Sequence, residues 1–219
     1  MVRIGWLSLA GLLVAGVPVE SDAQSAWDVA AFAGVFAGSV PLDRKEPYAD
    51  DSFHTGQAGV IVARHLTRHL KVEFEASGTG RGSQFVHQLV TVPGLTFPYP
   101  VGSEVTTSVR TLVGAVAWQF FDNEWVHPFL IAGVAADFER RSVHVWEQRY
   151  YPGDPRTGPV LVAAARREGP DTSRVMRGLF GGGAKLYVHE RAFIRADGRM
   201  SIGAHTPNVA FRIGVGVDF

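Results

Sequence analysis

Twelve charged residues sit on one alternate phase of otherwise apolar segments: Lys71, Glu73, Glu75, Asp137, Glu139, Arg177, Lys185, Arg195, Asp197, Arg199, Arg212 and Asp218. Six are acids and six are bases. On extended chain, residues two apart project to the same side, so each group presents its charges to one face. The chemistry open to such a set is mutual neutralisation through charge-assisted hydrogen bonds. Other candidate chemistries fail on spacing. Gly178–Lys185 is superficially a phosphate loop, but Ala184 separates Gly183 from Lys185 and Leu186 stands where Ser or Thr is needed. His65 and His69 are four apart, as in helical zinc sites, yet no Glu follows His65 and the pair flanks a tight turn. They read as solvated turn histidines. With no Cys there is no thiolate ligand, no Cys nucleophile and no disulfide. No catalytic residue, metal or cofactor is assigned.

The elements that carry these charges are strands. The last eleven residues, Val209–Phe219, place a large apolar side chain at every odd position and a small or charged one at every even position. Leu70–Ser77 and Ile194–Ile202 repeat the pattern, and Trp27–Gly38, Gly56–Arg64, Thr107–Phe121, Val126–Glu139 and Val175–Val188 follow it less cleanly. That makes eight candidate strands of about nine to fifteen residues, against the ~9–11 that a tilted strand needs to cross a bilayer. Tight turns are predicted at His65–His69, Asp122–Trp125 and His189–Glu190. Long polar segments are predicted at Ser39–Thr55, Thr79–Ser103 and Arg140–Thr172, and a shorter one near Gly203–Asn208. Short turns at one end and longer connections at the other describe an antiparallel up-and-down meander closed into a barrel. An even strand count puts both termini on the short-turn side.

Residues 1–23 stand apart. Met1-Val2-Arg3 is a basic start, Ile4–Val17 is uncharged and apolar, and small residues follow at Ser21, Ala23 and Ser25. This is the layout of a secretory signal, cut after Ala23 or Ser25, leaving 24–219 as one barrel domain. The whole chain is 46% hydrophobic and 19% charged, with 21 bases and 21 acids, which excludes disorder and offers no electrostatic footprint for nucleic acid. Its 25 glycines are about 11% of the chain, above the usual ~7%.

Alternation alone does not say which face is outside. Balanced charge decides it. Inside a narrow barrel an unpaired charge costs several kcal/mol, so equal numbers are required there, whereas a solvated face needs no balance. An eight-stranded barrel has an interior that side chains just fill. The expectation is an apolar outer wall in lipid around an ion-paired interior, with Gly181, Gly183 and Gly214 making room for long basic side chains. Aromatic girdles are expected at Trp27, Phe120, Phe121, Trp125, Phe129, Tyr187 and Phe219 on the short-turn side, and at Phe53, Phe138 and Trp146 on the other.

The ending Phe211-x-Ile213-x-Val215-x-Val217-x-Phe219 resembles the C-terminal strand of bacterial outer-membrane barrels, and residues 26–219 as a whole resemble the OmpA-like eight-stranded outer-membrane β-barrel domain. His127-Pro128-Phe129 with Ala132-Gly133, and Gly181–Lys185 leading to Arg191–Arg199, add to the likeness. The resemblance implies an outer-membrane location and an assembly signal at Phe211, Ile213, Val215, Val217 and Phe219 read by the barrel-assembly machinery. Its implied partners are membrane lipid and lipopolysaccharide, with the barrel a monomer. Some eight-stranded outer-membrane barrels are lipid A deacylases with a His-x-Ser-Asn arrangement. Here His205 and Asn208 match, but Pro207 replaces the nucleophilic Ser, so no attacking hydroxyl is present. The expected function is a non-enzymatic barrel with a structural or surface-interaction role. A narrow passive pore is the alternative, and a lipid A-modifying enzyme a more distant one.

Overall fold

The computed structural model describes residues 27–39, 52–91, 98–121, 125–151, 158–203 and 207–219. The proposed signal segment, its cleavage site and His205 lie outside these residues. The described residues contain eleven strands and no helix. Eight form a ring: β1 (Trp27–Ser39), β2 (Ser52–His65), β3 (Leu70–Thr79), β5 (Tyr99–Gln119), β6 (Val126–Val145), β9 (Arg166–Tyr187), β10 (Ala192–Ile202) and β11 (Asn208–Asp218). Every pairing in the ring is antiparallel. The ring is continuous. β1 pairs with β11 from Asp28↔Asp218 to Ala37↔Val209, and β3 pairs with β5 from Leu70↔Trp118 to Gly78↔Arg110. Trp27 N–H donates to Phe219 O at 3.1 Å and Phe219 N–H returns the bond to Trp27 O at 2.9 Å. Closure leaves no free sheet edge in the ring, so every ladder bond is made without water.

Two predicted polar connections are strands instead. Thr79–Ser103 contains β4 (Gly82–Val90) and the start of β5, and Arg140–Thr172 contains the end of β6 and the start of β9. β3 and β4 are nearly one strand, interrupted at Gly80–Arg81, and together they line β5 along its full length. At the interruption Thr79 Oγ1 accepts from Val109 N–H at 2.9 Å and Gly80 N–H donates to Gly56 O at 2.8 Å. A four-stranded arm, β4-β5-β6-β9, therefore rises beyond the ring. Above the arm, β7 (Gln148–Tyr150) and β8 (Val160–Ala163) form a separate two-stranded ribbon. These polar residues have the composition of a loop because only alternation in lipid has an apolar phase. Past the lipid the outward phase turns polar while the ladder continues.

The curvature of the small ring depends on glycine at close approaches. A Cβ on Gly183 would collide with the carbonyl oxygen of Ala196 on β10 and lie 2.6 Å from the Asp197 Cβ. A Cβ on Gly34 would collide with the carbonyl oxygen of Phe211 on β11.

Candidate functional site

The inward phase of the ring carries all twelve charged residues singled out above, in three clusters stacked along the barrel. Lys71, Glu73, Lys185 and Arg195 are essentially without solvent exposure, at 0–2%. At the short-turn end Lys71 Nζ reaches Asp28 Oδ2 at 3.2 Å and Glu73 Oε1 at 2.8 Å. Lys185 Nζ donates to the same Asp28 oxygen and lies 3.4 Å from Asp218 Oδ1. Tyr187 Oη donates to Asp218 Oδ2. In the middle Arg195 grips Glu73 with both ends of its fork, at 2.7 and 3.0 Å, and its Nε donates to Asp197 at 2.7 Å. Arg199 and Arg212 share Glu75 Oε2 at 2.7 and 2.8 Å, and both also donate to Asp197 Oδ1. Toward the arm Arg177 binds Asp137 at 2.9 Å and Glu139 at 3.0 Å, while Thr111 Oγ1 donates to Asp137 at 2.7 Å.

Strand alternation places these groups. Asp197 stands between Arg195 and Arg199 on the inward phase of β10, and Arg212 faces it directly across the β10–β11 pair. The bidentate fork of Arg195 to Glu73 then spans the lumen from β10 to β3. Rings support the cations: Arg195 lies 4.3 Å from the centre of Phe129, Arg212 4.1 Å from Phe32 and Lys185 Nζ 3.9 Å from Phe193. A desolvated cation over a ring gains on the order of 2 kcal/mol. The rest of the lumen is closed by an apolar wall of Val113, Ala115, Ala117, Phe129, Ile131, Ala135 and Leu179. An interior cavity of about 30 Å³, lined in part by Gln57, Glu75, Asp137, Arg199 and Arg212, is of the order that one water fills.

Asp28 escaped sequence reading. It is fully buried and serves both lysines of the end cluster. The signal was present, since Asp28 shares its phase with Ala30 and Phe32. Three aromatics assigned to girdles face inward instead. Phe129 and Phe53 are buried, and Tyr187 is held half-buried by Asp218. The inward phase needs large rings beneath its cations, which the outward count ignored. Nor are the turn histidines merely solvated. His65 Nε2 stands 3.5 Å from Asp28, and His69 Nδ1 is 3.1 Å from Gln119 O with its ring stacked on Trp118. The closing ring draws both against neighbouring strands. Gly178–Lys185 lies within β9. Among the described residues no three His, Asp or Glu are placed to hold a metal.

The outward phase is the reverse of the lumen. Phe211, Ile213 and Val215 are 64–66% exposed, and Phe74, Leu112, Leu130, Val134 and Phe180 are exposed with them. Trp27, Trp118, Phe120, Phe121, Trp125 and Phe219 are exposed around the short-turn end. Charges buried and large apolar side chains exposed, over a closed ladder, is an arrangement with lipid as its solvent. This chain is an eight-stranded transmembrane β-barrel.

No protein-family model matches the barrel's sequence, and no curated protein does. Among solved structures, Ail, the attachment invasion locus protein of Yersinia pestis, is 10% identical with a TM-score of 0.49 over 90% of this chain and 99% of that one. Neisserial surface protein A is 16% identical with a TM-score of 0.48 over 90% and 100%. The N-terminal β-barrel domain of Pseudomonas aeruginosa OprF is 13% identical with a TM-score of 0.44 over 90% and 99%. These likenesses are distant and concern overall fold, so the assignment rests on the ring and its polarity.

Proposed function

We propose that the protein is a non-enzymatic integral barrel of the outer membrane, a rigid body that holds an arm and connecting segments above the surface. The filled lumen carries this reading. Ion pairs and the apolar wall occupy it among the described residues, around a cavity of about 30 Å³. The test is conductance in planar bilayers, where the purified barrel should be silent at all voltages. Steady single-channel steps would favour the narrow pore. Against a lipid A-modifying role, Pro207 stands where a hydroxyl nucleophile is needed, and lipid A mass should be unchanged on overexpression.

In this reading the chain is exported through its signal segment and works as a monomer without nucleic acid. Its surroundings are membrane lipid and lipopolysaccharide, and the assembly machinery reads Phe211, Ile213, Val215, Val217 and Phe219. Four of those five are exposed on the outer wall of β11, and Phe219 is exposed just beyond it. Phe219→Ala keeps the backbone bonds to Trp27 and removes only the ring. Folded protein recovered from the membrane should fall severalfold, and wild-type recovery would count against the signal.

A further inference from the structure

The outer wall changes chemistry at one level on three adjacent strands. From the row Trp118–Leu130–Gly182 toward the arm, the outward phase of β5, β6 and β9 stays uncharged until it meets an arginine on each strand: Arg110, Arg140 and Arg174. Arg110 and Arg174 flank Phe138 in one row. Arg140 lies in the next row, between Ser108 and Thr172, diagonal to both. All three are exposed, and among the described residues none has an ion-pair partner; Arg174 rests 5.1 Å from the centre of Phe138. The only acid on this outward phase of the arm is Glu104, two rows further out beside His144.

The level of the triad is set by the lipid. Eight to ten residues of strand separate the Trp118 row from the arginines. At ~3.4 Å per residue and a tilt of ~40°, that is roughly 20–26 Å, against ~25 Å for the apolar band of an outer-membrane barrel. Directly beneath the arginines stand the exposed Leu112 and Met176. The guanidinium forks thus begin where acyl chains end and headgroups start.

We infer that Arg110, Arg140 and Arg174 form a docking site for the phosphate groups of a phosphorylated glycolipid in the outer leaflet. Arginine forks match phosphate oxygens bidentately, and among the described residues no carboxylate pairs with them. The occupant is a membrane lipid and not a soluble anion, because the site is continuous with the lipid-facing wall that would hold its chains. The inference rests on the transmembrane reading above and names one partner within it.

The test uses the full barrel in phosphatidylcholine nanodiscs, with diphosphoryl lipid A and its phosphate-free form as probes and bound lipid read by native mass spectrometry. Wild type should prefer the diphosphoryl form by at least about tenfold. R110Q/R140Q/R174Q should lose that preference while keeping its heat-dependent gel mobility. R110K/R140K/R174K, which keeps the charge, should retain part of it, and R191Q, at the opposite end, all of it. Equal binding of the two lipids by wild type overturns the inference without any variant, so a variant that does not fold leaves the test intact. Competition by millimolar inorganic phosphate also overturns it, by making the site one for soluble anions. Extraction of the wild type by carbonate would instead defeat the membrane reading itself.

Discussion

Glu73→Leu should lower the stability of the folded barrel by about 3–5 kcal/mol, the cost of leaving buried charge without its partner. Glu73 is the acid on which Lys71, Arg195 and Arg199 converge, at 2.8, 2.7 and 3.3 Å. Removing it takes one partner from three buried cations at once and leaves them to Asp28, Asp197 and Glu75 alone. The loss should appear as a drop in the urea midpoint of the barrel in lipid vesicles, followed by Trp fluorescence. E73L/R195M should recover part of it, with a coupling above about 1 kcal/mol, since the two are direct neighbours. Glu147→Ala supplies the contrast. Its pair with Arg149 is half exposed at both ends, and such pairs contribute about 1 kcal/mol at most. Equal effects from the two substitutions would mean that the interior network is solvated.

Gly183→Val should abolish the folded barrel, because the added side chain meets Ala196 backbone that cannot retreat without opening the β9–β10 ladder. Gly114→Val should be tolerated, as nothing lies within 4 Å of the Cβ it would add and valine suits a lipid-facing strand. Unboiled and boiled samples on a gel separate the outcomes. The mobility shift should vanish for the first variant and persist for the second. Tolerance at both positions would remove close strand approach as the reason for glycine in β9.

β11 was legible from sequence because its two phases differ sharply: Phe211, Ile213, Val215 and Val217 against Arg212, Gly214, Gly216 and Asp218. β6 was less so. Leu130 and Ile131 are both large and apolar, one in lipid and one in the apolar wall, so the pattern gave Phe129 no side. The twelve charges could be gathered into one lumen by phase, but their partners could not. Arg195 meets Glu73 across the ring, and that distance depends on closure between strands far apart in the chain. The arm was hidden for a different reason. Its outward face, with Glu104, Thr106, Arg140 and Ser142, has the composition of a loop, although its inward face keeps Val101, Val105 and Val145 in strand alternation.

The central claim is the direction of the two faces, and the absence of cysteine makes it directly measurable. Single cysteines at positions 211, 213, 215 and 217, whose native side chains are all exposed, can each carry a spin label in the barrel reconstituted in bilayers. These labels should be accessible to oxygen dissolved in the lipid and shielded from a water-soluble nickel reagent. Labels at these four positions closed to both reagents would make this a soluble barrel with an apolar core and contradict the account.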